Sequence, residues 1–155
     1  MNNNKCDLQW KVISSKYISR EPWFTVRAEC VELPNGNRIP SYYVLDYPEW
    51  VNVIAITKQG MMVMVQQYRH GIGRVGVELV AGTCEKTDVS PLESAKRELL
   101  EESGYGNGTW SEFAVLSANP ATHSNLTHTF LAENVELLTG QKLDVGEDLT
   151  VHLFH

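Results

Sequence analysis

The sequence has few cysteines, no long apolar run and no excess of positive charge, and each of these absences excludes a class of protein. The three cysteines are widely spaced and form no Cys-x-x-Cys pair, so neither a disulfide framework nor a zinc site is indicated. No run of about 18 apolar residues is present, and the first residues lack the apolar stretch of a signal peptide. We therefore expect free thiols, no membrane partner and a cytoplasmic location.

Positive charge is scarce, because 13 basic side chains stand against 19 acidic ones and the net charge is −6. Nucleic acids and anionic membranes bind concentrated basic surfaces, so nucleic acid is not an expected partner either. A polyanionic small molecule would need metal ions or locally placed arginines for its recognition. With 155 residues, the chain is long enough to bury a core as one globular domain with a small appendage.

Two regions of different character follow each other along the chain. Residues 1–48 hold three segments rich in β-branched and aromatic residues, which predict a small N-terminal antiparallel sheet. These segments span residues 10–19, 23–33 and 38–47. The later runs are more continuously apolar, as buried central strands are, and they span residues 51–57 and 61–68. Residues 49–155 are therefore predicted to form the main α/β domain.

One helix is predicted together with both of its ends. Ser90 can cap its N-terminus, Pro91 suits the first helical position, and Glu93 completes a capping box. Gly104 is a natural C-terminal breaker. An apolar stripe with spacings of three and four residues consists of Leu92, Ala95 and Leu99. We expect this stripe to pack on the sheet and the acidic residues to lie elsewhere on the helix.

Three glutamates crowd one turn of this helix. Glu98, Glu101 and Glu102 stand at i, i+3 and i+4, so their side chains converge on one patch. Hard divalent cations bind such clustered carboxylates well. The alternative is a solvated acidic face in which Arg97 and Glu101 form a helix-supporting pair. The strand that ends at Gly82 favours the metal interpretation, because it places the patch against backbone.

The helix and the loop before it resemble the Nudix box of the Nudix hydrolases. Residues 97–105 match the second half of that pattern, Arg-Glu-aliphatic-any-Glu-Glu-any-Gly-apolar, at every specified position. The first half departs from the pattern, because Asp88 stands where the family has glutamate and eight residues instead of seven then lead to Arg97. Glu85 is the alternative substitute for that glutamate. The loop is thus one residue longer than in the family.

Similarity extends over most of the chain and is greatest to the ADP-ribose pyrophosphatase-like branch of the family. It implies an α/β class and a Nudix-type α/β/α sandwich with a mixed sheet, preceded by the N-terminal antiparallel sheet. The C-terminal helix of the family has no counterpart after the predicted strand 149–154. The resemblance also implies a homodimer in which residues 1–48 exchange between subunits.

The activity implied is metal-dependent hydrolysis of the diphosphate bond in a nucleoside diphosphate linked to another group. ADP-ribose or a similar nucleotide sugar would give a nucleoside monophosphate and a sugar phosphate, with Mg²⁺, or Mn²⁺, as the cofactor. Two alternatives remain open. One is a different substrate, such as a dinucleotide or GDP-mannose, and the other is a Nudix-fold sensor that binds nucleotide without turnover.

The resemblance also implies roles for individual residues. The metal ligands are the carboxylates of Glu98, Glu101 and Glu102 and the backbone carbonyl of Ala81. Arg97 orients a glutamate, and Glu147 is the general base, with its neighbour Asp148 as one alternative. The other alternative is that Glu147 belongs to an ordinary acidic surface turn beside Gly146. The substrate-binding residues are Arg27, Arg69 and Glu78, and the alternative for each arginine is an ordinary surface ion pair. Trp23 and Tyr17 are candidates for stacking on a base, and the alternative for each is packing in the core.

Overall fold

The computed structural model describes residues 8–155, which form two compact units. The first unit extends to Tyr47 and includes Ala118–Asn125, and the second comprises Pro48–Ser117 and Leu126–His155. Cys30 and Cys84 are free thiols, as expected. The thiol predicted at Cys6 lies outside the described residues.

The first unit contains the small antiparallel sheet that the sequence predicts. Its strands, in spatial order, are β1 (Lys11–Glu21), β2 (Phe24–Glu32) and β3 (Arg38–Leu45). The pairing of β2 with β3 shifts register between Glu29 and Val31, and Ala28 and Val31 are the buried apolar residues of β2. Residues 118–125 join this unit through backbone bonds to Leu45, including Leu45 N–H to the Thr122 carbonyl at 2.7 Å.

The second unit is built on a mixed sheet of seven strands. They are β4 (Trp50–Thr57), β5 (Met62–Arg69), β6 (Arg74–Thr83), β7 (Tyr105–Gly106), β8 (Thr109–Leu116), β9 (Thr127–Leu137) and β10 (Leu149–Phe154). The hydrogen-bonded order is β10-β5-β6-β4-β9-β7, with β8 also beside β9. Strands β4 and β9 run parallel, while the other pairs in this sheet are antiparallel. A single 3-10 turn, His70–Ile72, links β5 to β6.

Helix α1 (Pro91–Ser103) packs on one face of this sheet, mainly against β6 and β4. Alternate residues of β4 are fully buried, among them Val51 and Val53, and they meet Ala95 and Leu99 of the helix in the core. Complete burial of a valine or leucine side chain contributes about 2 kcal/mol. This packing fixes the rotation of α1 about its axis, and with it the direction of its glutamates.

The α/β class, the mixed sheet and the N-terminal sheet are confirmed. Strands β7 and β8 were not predicted, because β7 has only two residues and β8 leaves Phe113 and Leu116 exposed. Within residues 8–155, α1 is the sole α-helix. No helix in that range is long and apolar enough to cross a bilayer.

Candidate active site

Helix α1 begins and ends where the sequence predicts. The Ser90 hydroxyl accepts the Glu93 backbone N–H at 3.4 Å, and Pro91 occupies the first turn. Gly104 has φ +76° and donates its N–H to the Leu100 carbonyl. A Cβ at Gly104 would lie 2.1 Å from the Thr139 carbonyl oxygen, so both the backbone conformation and the space require glycine there.

Glu98 and Glu102 lie on the buried side of α1, which corrects the expectation that the acidic residues avoid the packing side. Glu98 is 8% exposed and Glu102 is 3% exposed, beside the buried Leu99. Their carboxylates accept backbone N–H groups from the end of β6, Thr83 to Glu98 and Ala81 to Glu102, both at 3.2 Å. The expected position of the cluster against backbone is thus observed for these two glutamates.

Gly82 makes room for the Glu98 carboxylate. A Cβ at this position would lie 2.0 Å from the Glu98 Cδ atom and 2.1 Å from its Oε1 atom. No side chain can occupy that space while Glu98 keeps its place. The glycine of the motif is therefore explained by close approach of a carboxylate to the strand and not by an unusual backbone angle.

Arg97 ties the helix to the preceding loop and strand. Its Nη1 donates to Glu98 at 3.0 Å and to Glu101 at 3.1 Å, while its Nη2 donates to the Thr83 carbonyl at 2.9 Å. Burial alone would lower the pKa of Arg97, but the bonds to carboxylates outweigh it and raise that pKa further above its usual value. Arg97 thereby fixes the side chains of two candidate metal ligands.

Asp88, and not Glu85, is the loop carboxylate that bonds this arginine. Its carboxylate accepts Arg97 Nη2 at 3.0 Å and the Ser94 hydroxyl at 2.7 Å. The hydrogen bond from Arg97 is the main cause that lowers the Asp88 pKa to about 2. Glu85 instead accepts a hydrogen bond from Thr87. The longer loop therefore still delivers a carboxylate to Arg97.

The two buried glutamates are electrostatically strained. Burial raises the pKa of Glu102 to about 7, and the charges of Glu98 and Glu147 act in the same direction. Burial also raises the pKa of Glu98, although Arg97 opposes that shift. A positive charge placed next to either carboxylate would therefore stabilise its ionised form.

Arg69 and Glu78, both predicted to bind substrate, are brought together on neighbouring strands β5 and β6. Arg69 Nε lies 3.1 and 3.0 Å from the two Glu78 carboxylate oxygens, and Nη2 lies 2.7 Å from Oε2. These bonds raise the pKa of Arg69. The charge of Arg69 opposes the rise in the pKa of Glu102, so this arginine interacts electrostatically with one buried glutamate.

Glu147 lies on an exposed turn that we call the acidic loop, residues 143–148. Its Oε2 accepts the Asp144 backbone N–H at 2.9 Å, and its own N–H donates to the Asp144 carbonyl at 3.0 Å. Its negative charge contributes to the raised pKa of Glu102, so the two carboxylates interact electrostatically. Asp148 is exposed on the same loop.

Arg27 belongs to the first unit, where it pairs with Glu29 at 2.9 Å and with Asp46 at 2.6 Å. Tyr17 and Trp23, the candidates for stacking on a base, are exposed and do not pack in a core. The Arg20 guanidinium lies over the Tyr17 ring at 3.9 Å. All of these residues belong to the first unit.

A divalent cation fits the donor chemistry of the cluster, although the side chains now bond other groups. Within residues 8–155, no group of three or more His, Cys, Asp or Glu side chains is arranged to hold a metal ion. The donors are nevertheless carboxylate oxygens, which hard cations prefer. Two of them are buried with raised pKa values, and a cation would relieve that strain.

Sequence reasoning missed Gln141, which bonds the backbone at the end of α1. Its Nε2 donates to the Glu102 carbonyl at 2.7 Å and to the Leu149 carbonyl at 3.4 Å. A single glutamine in a polar segment carries no periodic or spacing signal, so no pattern in the sequence identifies it. It becomes visible only when segments distant in sequence are placed together.

Two family profiles match the chain. The profile described as "Nucleoside diphosphate sugar hydrolase N-terminal domain" matches residues 10–45. The profile described as "NUDIX domain" matches residues 46–151, which is more than half of the chain and includes α1 with its glutamates.

Characterised relatives support the same assignment. An ADP-ribose pyrophosphatase of Bacillus subtilis (strain 168) is 34% identical over 143 residues, which cover 89% of this chain and 76% of the relative. The methanol dehydrogenase activator of Bacillus methanolicus is 33% identical, over 81% of this chain and 69% of the relative. An ADP-ribose pyrophosphatase of Mycobacterium tuberculosis (strain ATCC 25618 / H37Rv) is 32% identical, over 79% of this chain and 59% of the relative.

A solved structure confirms the fold. The crystal structure of an ADP compounds hydrolase superposes with a TM-score of 0.80 at 23% identity and covers 94% of this chain and 78% of that one. The fold, the glutamate-bearing helix and the matching profiles together define a hydrolase of phosphorus-containing anhydrides. The chain belongs to the Nudix family, as the motif predicts, and it resembles ADP-ribose pyrophosphatases of that family.

Proposed function

We propose that this enzyme hydrolyses the diphosphate bond of a nucleotide sugar, with ADP-ribose as the preferred substrate and AMP and a sugar phosphate as products. The observation that carries the proposal is the burial of Glu98 and Glu102 against the end of β6, with Arg97 beside them. Buried carboxylates are unfavourable for packing, but they are well suited to bind a cation that in turn binds a polyanionic substrate. The names of two relatives support ADP-ribose.

Nudix hydrolases generally use divalent metal ions, and for this chain we propose Mg²⁺, with Mn²⁺ as a substitute. The carboxylates of Glu98, Glu101 and Glu102 and the carbonyl of Ala81 would hold it. A divalent cation neutralises diphosphate oxygens and lowers the pKa of bound water. Arg97 keeps Glu98 and Glu101 in position through its two bonds from Nη1.

Glu147 is the proposed general base, because it lies on an exposed loop near Glu102 and its carboxylate can accept a proton from the attacking water. The water attacks one phosphorus of the bridge, and the other phosphate departs with its sugar or nucleoside. Asp148 is the adjacent alternative. A comparison of Glu147→Gln with Asp148→Asn distinguishes them, because replacement of the true base should reduce kcat far more than replacement of its neighbour.

Substrate binding is assigned to Arg27, Arg69 and Glu78. The planar guanidinium of arginine donates two hydrogen bonds to one phosphate. In Arg69 that fork now bonds Glu78, so a phosphate would compete with Glu78 for it, and the released Glu78 carboxylate can accept a ribose hydroxyl. Arg27 carries two carboxylate partners and offers the same chemistry from the first unit.

We further propose that residues 1–48 and 49–155 are the functional divisions of the chain. The proposed assembly is a homodimer in which the N-terminal sheet exchanges between subunits. The strongly exposed β1 strand supports this arrangement. The free thiols of Cys30 and Cys84 support a reducing, cytoplasmic environment.

A nucleotide sensor is the second candidate, because one relative is named as an activator of another enzyme and because Asp88 departs from the family pattern. Asp88 nevertheless bonds Arg97, so this departure leaves the arginine anchored. Among enzymes, a dinucleotide or GDP-mannose is the alternative substrate, since the cluster would contact only the diphosphate that all of them share.

The deciding experiment incubates the parent, Glu102→Gln and the control Glu133→Gln with Mg²⁺ and a panel of nucleotide sugars, dinucleotides and nucleoside triphosphates. Glu133 is an exposed glutamate of β9 in the same unit. AMP released from ADP-ribose by the parent and the control, but not by Glu102→Gln, is the expected result. Turnover of another panel member alone would replace the substrate, and tight binding without turnover would favour the sensor.

A further inference from the structure

The chain returns to the C-terminal end of α1 and bonds its last carbonyls. The final carbonyl groups of a helix have no partner within the helix. Here the Lys142 backbone N–H donates to the Glu101 carbonyl at 2.8 Å, and the Gln141 side chain donates to the Glu102 carbonyl at 2.7 Å. The backbone of two proposed metal ligands, Glu101 and Glu102, is therefore held by residues 141 and 142.

The same side-chain amide of Gln141 also reaches the other end of the acidic loop. Its Nε2 lies 3.4 Å from the carbonyl of Leu149, the first residue of β10. Leu149 is buried in the core and paired with Gln67 of β5. One amide group thus bridges the end of the helix and the start of a core strand. The acidic loop is the chain segment that leads from Gln141 and Lys142 to that strand.

The acidic loop has a fixed internal shape but depends on its ends for placement. Two bonds between Asp144 and Glu147 close its turn, and Leu143 packs against the core at its beginning. Its remaining residues, 144–148, are exposed. With few packing contacts of its own, the loop takes its position from the groups that fasten its two ends.

We propose that Gln141 is a positioning residue, which fastens the acidic loop to the last turn of α1 and thereby sets where Glu147 stands relative to Glu102. The catalytic part of this inference rests on the proposed function. The fastening itself does not, because it follows from the hydrogen bonds alone. The test therefore uses one readout that is independent of activity and one that depends on it.

The first readout is amide hydrogen exchange of residues 143–149 in the full chain without substrate. Gln141→Leu removes the donor, Gln141→Lys keeps a donor and adds a charge that suits a helix C-terminus, and Lys142→Ala is the matched control, since its hydrogen bond comes from the backbone. Exchange should be about 10-fold faster in Gln141→Leu and close to the parent in the other two. Unchanged exchange in Gln141→Leu would overturn the proposal.

The second readout is steady-state hydrolysis of the substrate that the panel identifies. Gln141→Leu should lower kcat about 10-fold with KM within about two-fold, because a displaced base affects the chemical step more than binding. Gln141→Lys should recover most of the loss. Faster exchange with an unaltered kcat would refute the positioning role, and so would a rise in KM alone.

A double variant tests whether Gln141 acts through Glu147. In a Glu147→Gln background, Gln141→Leu should lower kcat no further, because both changes act on the same group. Fully additive losses would overturn the inference. If the parent hydrolyses nothing in the panel, the proposed function fails, and the exchange measurement still decides whether Gln141 fastens the loop.

Discussion

Replacing Asp88 with asparagine tests whether the longer loop anchors Arg97. The Asp88 side chain is 12% exposed and that of Arg97 is 24% exposed, so their bond at 3.0 Å is partly shielded from water. The second bond, from Nε at 3.4 Å, is long and adds little. A hydrogen bond between charged groups contributes about 2 kcal/mol, and this is the expected loss in free energy of unfolding, because asparagine keeps the shape and removes the charge.

Thermal unfolding measures this loss and its pH dependence. For a chain of this size, about 2 kcal/mol corresponds to a fall of about 6 °C in Tm. Hydrogen bonding to Arg97 lowers the pKa of Asp88 from 3.8 to about 2. A lowered pKa gives stability that is present above the unfolded value and is lost as pH falls through the folded value. The Tm difference between parent and variant should therefore be full at pH 7 and shrink from pH 3.8 towards pH 2.

Asp148→Asn is the control, since it removes an exposed aspartate that makes none of these contacts. Its Tm should stay within about 1 °C of the parent. Equal Tm values for Asp88→Asn and the parent at pH 7 would show that the loop does not anchor Arg97. A difference that persists undiminished at pH 2 would refute the electrostatic cause.

Three further changes test the site. Glu102→Gln should abolish most hydrolysis. Without divalent cations, however, this variant should be at least as stable as the parent at pH 8, because the raised pKa of Glu102 makes folding of the parent less favourable as pH rises from 4.5 to about 7. A lower Tm for the variant would contradict this expectation. Gly82→Ala should displace the Glu98 carboxylate and lower kcat about 100-fold, whereas Gly71→Ala, with nothing within 4 Å of the added Cβ, should not. Arg27→Gln should mainly raise KM, and an unchanged KM would remove Arg27 from the substrate site.

The helix was predictable because its signals are local. Ser90, Pro91 and Gly104 each act on backbone within a few residues, and α1 begins and ends where they place it. The apolar run that predicts β4 is local in the same sense. Strands β7 and β8 were not predictable. β7 has only two residues, and the largely exposed residues of β8 give no clear alternation.

The contacts of the site were less predictable, since they join segments that are distant in sequence. The Arg97–Glu101 pair follows from helical spacing, whereas the choice of Asp88 over Glu85 depends on how the loop folds back on the helix. Gln141 and Glu102 are 39 residues apart. Spacing along one helix therefore predicted the Arg97–Glu101 contact, whereas the partners of Asp88 and Gln141 required the tertiary fold.

The expectation that failed is the most informative one. An amphipathic helix should place apolar residues inside and charges outside, yet Glu98 and Glu102 share the buried side of α1 with Ala95 and Leu99. Each carboxylate has a backbone N–H partner, but the raised pKa values show that these bonds do not offset desolvation. Apolar side chains at both positions would fold at a lower free-energy cost. Folding therefore does not account for these glutamates, which supports the proposal that they bind positive charge.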